Sequence, residues 1–308
     1  MEILQNLTII LACIVAITKG ADWLVESAAK IGRQIGISEL VLGLTVVAFG
    51  TSAPEFGVTI LAAFRNSGDI SVGNIVGSNI FNLGFILGGV AIIHSLKTSR
   101  SIVWRDGAFL LIGTILLIVF LRDLCLSRLE GIFLFSFLFV YLFYLFREKQ
   151  PATRKRHLKG KLHWRDLLRL ILAIGIVLTG SHFLVEFSIR LAIAMHVSQW
   201  VIGVTLVAAG TSVPELAVSF AAAFRGHHDI SIGNLIGSNI FNLFGVLGVA
   251  GTFHDLTVGD GAKLNLINLL LMTVIVLIFM RSGWQISRGE GVFLFLTALA
   301  CWGVNFLI

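Results

Sequence analysis

The sequence predicts an all-α polytopic membrane protein: ten transmembrane helices in two inverted-topology five-helix repeats, with broken helices at the midplane. Three observations predict it. The 308 residues are 56% hydrophobic and 13% charged, whereas a soluble domain carries about 25% charged residues. A shift of 160 residues lays the second half of the chain on the first without a gap. In each half, a proline and a glutamate interrupt an otherwise apolar run at matching positions.

A span needs about 20 apolar residues, and ten stretches qualify: 5–28, 39–64, 71–94, 105–121, 129–146, 167–189, 199–224, 231–253, 264–280 and 290–307. The first follows Met1-Glu2 with no basic segment and no cleavage site, so it reads as a retained helix rather than a signal peptide. The second carries the first interruption, and the third follows it with a polar stripe. The fourth and fifth complete a repeat over residues 1–146. Residues 147–166 form a basic linker, and the remaining five spans make the second repeat, 167–308. Cys13, Cys125 and Cys301 share no metal-ligand spacing and read as small apolar packing residues.

Charge orients the chain. The net charge of +6 is concentrated in 147–169, which holds nine Lys and Arg. By the positive-inside rule this linker is cytoplasmic. Counting spans outward from it puts 17 basic residues inside, 5 outside and Lys19 within the first span. Both termini then face outside an integral protein of the cell (plasma) membrane. The basic stretch is a topology signal that also meets anionic lipid. The expected partner is the lipid bilayer and not nucleic acid.

The repeat covers the whole half. Residues 41–83 and 201–243 are identical at 27 of 43 positions. The same offset pairs GADWLVE (20–26) with GSHFLVE (180–186), and Arg128, Glu130, Gly131 and Phe133 with Arg288, Glu290, Gly291 and Phe293. Five spans per half is an odd number, so the second half enters the membrane from the opposite side. Inverted repeats of this kind build many secondary transporters, with the site where interrupted helices meet near the midplane.

The interruptions are VAFGTSAPEF (47–56) and VAAGTSVPEL (207–216). Pro54 has no N–H, and its ring crowds the carbonyl four residues back, that of Gly50. Pro214 does the same at Gly210. Carbonyls freed in lipid need a partner or must line a cavity, and a cation is a good partner. Thr51 and Ser52 precede Glu55 by four and three residues and share its helical face, as Thr211 and Ser212 do with Glu215. A carboxylate at a helix centre costs about 2.5–3.5 kcal/mol on insertion scales. Two of them repel, and a cation between them removes both penalties. The next span of each half adds oxygen: Asn74, Ser78 and Asn82 four apart, repeated as Asn234, Ser238 and Asn242. Asn74, Asn79, Asn234 and Asn239 serve equally well as interhelical hydrogen-bonding residues. Gly73 with Gly77 and Gly233 with Gly237 are expected to let helices approach closely. The set contains carboxylates, hydroxyls, amides and carbonyls without paired Cys or His, which suits a hard cation such as calcium; sodium also accepts neutral oxygens.

GTSAPE…GNIVGSNIFN and GTSVPE…GNLIGSNIFN resemble the two alpha-repeats of the calcium/cation antiporter superfamily, and most closely those of compact prokaryotic sodium/calcium exchangers. The resemblance covers essentially the whole chain. It implies ten helices in inverted repeats of five, and a secondary active transporter rather than an enzyme. It places calcium between the Glu55 and Glu215 carboxylates and the Thr51 and Thr211 main-chain carbonyls. It places sodium at Ser78 with the Ala48 carbonyl and at Ser238 with the Ala208 carbonyl. Ser52 and Ser212 complete the lining, and Asn82 and Asn242 fall at the middle position. Some family members, potassium-dependent exchangers among them, carry Asp where this chain has Asn242. The family usually exchanges three sodium ions for one calcium, and its first and sixth helices slide past a fixed core.

The resemblance further implies no resident cofactor, the ions Ca2+ and Na+ being cargo, and a functional monomer. The linker is too short for a cytosolic calcium sensor. An H+/Ca2+ antiporter of the same fold and a potassium-dependent exchanger are the alternatives, with protons in the first titrating Glu55 and Glu215. Lys19, Asp22, Glu26, His182 and Glu186 sit toward the ends of the sliding helices, Lys19 as an interfacial anchor. His227 and His228 read as solvated loop residues. A passive channel needs a continuous pore, and a hydrolase needs a nucleophile–base pair; neither pattern is present.

Overall fold

The computed structural model describes residues 2–147, 163–195 and 208–304, and nearly all of them are helical. Helix α1, Glu2–Ile35, has 34 residues, or about 51 Å at 1.5 Å per residue. That exceeds the roughly 30 Å of hydrocarbon in a bilayer, so α1 is long enough to tilt. Gly36 follows it with φ +78°, a left-handed C-terminal cap that a side chain would strain. Helix α2, Glu39–Thr51, starts where the Ser38 hydroxyl accepts from the Val41 N–H at 3.3 Å. Helix α3, Ala53–Phe64, continues it after a bend of 50°. Then come α4 (Gly68–Ile93), α5 (Ile102–Asp123), α6 (Arg128–Arg147) and α7 (Trp164–Ala194). A turn, Ala208–Gly210, leads into α8 (Val213–Phe224). The chain ends in α9 (His228–Phe253), α10 (Gly261–Arg281) and α11 (Arg288–Val304).

Among the described residues, seven helices are long and apolar enough to cross a membrane, and the bent pair α2–α3 makes an eighth. Two further expected spans are seen in part. Of 199–224, residues 199–207 lie outside the described residues and 12 residues form α8. The span 290–307 corresponds to α11, of 17 residues. Residues 148–162 of the linker also lie outside the described set. Helices α1 and α7 run past their expected edges at 28 and 167. Polar residues extend them: Lys30 of α1 pairs with Asp166 of α7 at 2.6 Å, so charges that end a hydropathy window do not end the helix.

The two halves exchange contacts reciprocally. Strand β1, Leu96–Lys97, pairs antiparallel with β4, Gln285–Ile286, while β2, Cys125–Leu126, pairs with β3, Leu256–Thr257. The 160-residue offset turns β1 into β3 and β2 into β4, so it converts one pairing into the other. The same exchange joins α4 to α11 through Gly88 and Gly291, and α9 to α6 through Gly251 and Gly131. It also matches the left-handed turn residues, Asn66 with Gly226 and Leu124 with Trp284.

Helix α9 lies at the centre, with every residue from Ile230 to Ile240 buried. Two glycines let α2 reach it. A Cβ on Gly233 would sit 2.8 Å from the Leu40 carbonyl oxygen, and one on Gly237 would sit 2.7 Å from Leu44 Cα. The expectation that Gly73 and Gly77 do the same is not met among the described residues, where an added Cβ meets nothing within 4 Å. The positions equivalent to Leu40–Leu44 are 200–204, outside the described set.

Gly237→Ala forces a Cβ into backbone that has no slack, so it is expected to destabilise by about 1–3 kcal/mol. Gly175→Ala, in α7 where a Cβ meets nothing within 4 Å, is expected to be neutral or stabilising by up to about 1 kcal/mol. Thermal unfolding of both variants in detergent checks the contrast.

Candidate cation site

The chain breaks one residue later than proline chemistry alone predicts. The Ser52 N–H still donates to the Ala48 carbonyl at 3.0 Å, so α2 keeps its ladder through the Gly50–Thr51 turn. Ser52 itself leaves helical geometry, at φ −79° and ψ 10°, and Pro54 falls in the first turn of α3. A proline there loses no hydrogen bond, because the first N–H groups of a helix have no partner in the helix. The second half repeats this at Ser212, φ −88° and ψ 7°, with Pro214 in the first turn of α8. The break therefore sets a helix C-terminus, rich in free carbonyls, beside a helix N-terminus. Glu55 and Glu215 lie in the first turns of α3 and α8, where the macrodipole favours negative charge.

Both glutamates are fully buried. Each is held by the serine of the other half. The Ser52 hydroxyl donates to Glu215 Oε1 at 2.9 Å, and the Ser212 hydroxyl donates to Glu55 Oε1 at 3.1 Å. Spacing had placed each serine near the glutamate of its own half. The bend instead swings the two breaks together, so the hydroxyls cross. Neither glutamate forms an ion pair among the described residues. The second oxygen of each, Oε2, has no hydrogen-bond partner there.

Several of the other expected site residues gather around this pair. The Thr51 hydroxyl lies 3.2 Å from the Ala48 carbonyl, 3.0 Å from Asn234 Oδ1 and 3.4 Å from the Ser238 hydroxyl. Ser238 also donates at 3.4 Å to both the Ala48 carbonyl and Glu215 Oε1, so the serine on the Ala48 carbonyl is that of the other half and not Ser78, as the resemblance had implied. Across the pseudo-symmetry, the Ser78 hydroxyl lies 3.3 Å from that of Thr211. Ala208 begins the turn before Thr211. Asn82 and Asn242 are buried at the wide π-helical turns Asn82–Ile86 and Phe241–Val246, a geometry that recurs at functional sites. Asn242 donates to Asn79 Oδ1 at 3.1 Å, and Asn79 donates to the Asn239 carbonyl at 3.3 Å. Both amide atoms of Asn82 and Oδ1 of Asn242 lack partners among the described residues.

Asn74 and Asn234 bind protein rather than the open centre. Asn74 Nδ2 donates to Thr59 Oγ1 at 2.9 Å and to the Glu55 carbonyl at 3.3 Å. Asn234 Nδ2 donates to Ser219 Oγ at 3.0 Å and to the Glu215 carbonyl at 3.4 Å. The Ser71 and Ser231 hydroxyls brace the same helices, on the Thr59 and Ser219 carbonyls at 3.1 and 2.9 Å. Thr59, Ser219, Ser71 and Ser231 escaped the sequence reading. A hydroxyl four residues after each glutamate, in both repeats, was the available signal.

A carboxylate oxygen buried without a donor costs several kcal/mol unless charge compensates it. The two carboxylates, the hydroxyls of Ser52, Ser212, Thr51 and Ser238, and the Ala48 carbonyl form an all-oxygen cluster. No group of three or more His, Cys, Asp and Glu placed to hold a metal ion occurs among the described residues. The set suits a hard, weakly directional cation.

Comparison with known proteins places the chain in a family. The family described as "Sodium/calcium exchanger protein" matches residues 6–147 and 166–306. The sodium/calcium exchanger MaX1 of Methanosarcina acetivorans is 35% identical over 98% of this chain and 99% of its own. The putative antiporter CaxA of Alkalimonas amylolytica is 34% identical over 92% of each chain. The solved sodium-calcium exchanger NCX_Mj, soaked with 10 mM Na+ and zero Ca2+, superposes with a TM-score of 0.86 at 30% identity, covering 97% of this chain and 98% of that one.

The crossed hydroxyls are testable as couplings. A double-mutant cycle of Ser52→Ala with Glu215→Gln is expected to give an interaction energy of about 1–3 kcal/mol, with Ser212→Ala and Glu55→Gln close to it. The same-half cycle, Ser52→Ala with Glu55→Gln, should give less. Thermal or denaturant unfolding in detergent measures all three.

Proposed function

Because the chain belongs to the sodium/calcium exchanger protein family, we propose that it carries calcium one way and sodium the other through the Glu55–Glu215 site, by alternating access. The relatives are exchangers, not enzymes, and so is this chain. The observation that carries the specific reading is the crossed pair of serine–glutamate hydrogen bonds, which makes one site from two breaks. In this reading Glu55 and Glu215 hold calcium with the Thr51 and Thr211 carbonyls. Ser238, on the Ala48 carbonyl, and Ser78, beside Thr211 in the turn that follows Ala208, serve sodium. Ser52 and Ser212 orient the carboxylates, and Asn82 and Asn242 line the middle. Ions that share the same carboxylates compete, and competition with a change of access is exchange.

The reading includes ten spans in inverted repeats of five. The reciprocal strand pairings and the matched turns support it. It orients both termini outside a plasma membrane and the linker inside. It takes the monomer as the working unit, because the site draws on both halves of one chain. Two ionised glutamates balance one calcium or two sodium ions. Three sodium ions per calcium then move one net charge each cycle, worth about 2.3 kcal/mol per 100 mV. Asn242, neutral where potassium-dependent relatives carry Asp, favours sodium alone. Serine hydroxyls at both sodium positions favour sodium over protons as the coupling ion.

Vesicles containing the protein test this directly. A sodium gradient is expected to drive calcium uptake, and a pH gradient alone is not; calcium flux driven by pH and indifferent to sodium would overturn the reading. Glu55→Gln and Glu215→Gln are each expected to abolish exchange. Ser78→Ala should weaken the sodium dependence more than the calcium dependence, and equal losses would remove the separate sodium assignment.

A further inference from the structure

Helices α1 and α7 form a unit. Gly20 of α1 packs on Ile176 and Val177 of α7, and Gly180 of α7 packs reciprocally on Ile17 of α1. Ion pairs fasten one end of the unit: Arg169 to Glu26 at 2.8 Å and Lys30 to Asp166 at 2.6 Å. At that end the unit is also tied to the rest of the molecule. Arg225, in the turn after α8, donates from Nε to Asp22 at 2.8 Å and from Nη1 to Glu26.

The repeat puts the same parts at the other end. Arg65 is the counterpart of Arg225, Glu186 of Glu26 and His182 of Asp22, all at an offset of 160 residues. Arg65 stands in the turn after α3, and the turns match: each arginine caps its helix and precedes a left-handed residue, Asn66 or Gly226. The backbone thus presents both arginines alike, yet their partners differ. Arg65 is exposed and makes no ion pair among the described residues. Glu186 turns back on its own helix, to Arg190 and, at 3.9 Å, to His182. One end of the molecule is fastened and its equivalent is not. If the halves are inverted, these ends lie on opposite sides of the membrane.

We propose that Arg65 and Arg225 are alternating latches: Arg225 holds the α1–α7 unit through Asp22 and Glu26 in the conformation seen here, and Arg65 closes on Glu186 in the opposite one. The proposal rests on the inverted repeats and alternating access of the exchange reading. It names the groups that exchange partners as the accessible side changes. Each latch replaces a short-range ion pair on the same helix, or water, with a pair between elements. The two closed states are therefore near in energy, as a cycle that visits both requires.

Paired cysteines test it, in a chain whose Cys13, Cys125 and Cys301 are replaced by alanine. Glu26→Cys with Arg225→Cys, and Arg65→Cys with Glu186→Cys, are exposed to a short bis-maleimide in vesicles with calcium on both sides. Each pair is expected to cross-link, and a chain carrying all four cysteines forms one bond or the other. In the Arg65→Cys, Glu186→Cys chain, Arg225→Gln is expected to raise the rate of the 65–186 bond about threefold or more, the scale of losing one or both of its part-exposed ion pairs to Asp22 and Glu26. Two bonds in one chain, no 65–186 bond, or an unchanged or slower rate with Arg225→Gln would overturn the latches. Sodium-driven calcium flux by the cysteine-free parent separates the two readings. Flux without a 65–186 bond overturns the latches alone, and absence of flux overturns the exchange reading and the latches with it.

Discussion

Two buried carboxylates, each hydrogen-bonded by a serine from the opposite half of the chain, are the constraint around which the rest of the molecule is arranged. A carboxylate that enters a membrane needs donors on both oxygens or a countercharge. Here the protein supplies donors to Oε1 of each glutamate and leaves Oε2 without one among the described residues. The broken helices follow from this need. An unbroken helix has no free N–H groups or carbonyls at its middle, whereas a helix interrupted at Ser52 or Ser212 offers both there. The dipole of α3 or α8 steadies the anion, and the end of α2 brings the Ala48 carbonyl to the Ser238 hydroxyl.

Holding two breaks together takes close packing and a second layer of polar contacts. Gly233 and Gly237 bring α2 against the buried centre of α9 at backbone distance. Asn74 and Asn234 grip the helices that carry the glutamates through Thr59 and Ser219. These amides cannot leave for a passing ion without exposing the hydroxyls they satisfy, so they act as a frame. Asn82 and Oδ1 of Asn242 have no such duty among the described residues. Rigid frame and uncommitted oxygen lie on the same two helices, eight residues apart. Helices α1 and α7 lie against this frame through side chains and, at one end, ion pairs: Ile174 meets Gly50, Val185 meets Gly210, and Asp22 and Glu26 meet Arg225.

Much of this was legible in the sequence, for physical reasons. A charge deficit along the whole chain leaves a bilayer as the matching solvent, and an offset of 160 residues that aligns polar residues within apolar spans marks a paired site. Glu55, Glu215, Thr51, Thr211, Ser52, Ser212, Ser78, Ser238 and the asparagine stripe stood out, while the bracing residues Thr59, Ser219, Ser71 and Ser231 did not. What spacing could not supply was the partner across the repeat. Helical periodicity puts Ser52 beside Glu55, but a 50° bend sends its hydroxyl to Glu215. Nor could hydropathy find the helix ends: Lys30 and Asp166 look like boundaries until their ion pair is seen. His227 likewise read as a solvated loop residue, yet its Nδ1 lies 2.8 Å from Glu39 and ties the turn after α8 to the start of α2. Interactions between distant segments carry no local signature, and these are all of that kind.

If Glu55 and Glu215 form one shared cation site, calcium binding to the purified protein, followed by equilibrium dialysis at fixed ionic strength, will show it. One high-affinity calcium per chain is expected, displaced by sodium and lost when either glutamate becomes glutamine. Two independent calcium ions per chain, or one that survives either substitution undiminished, would contradict it.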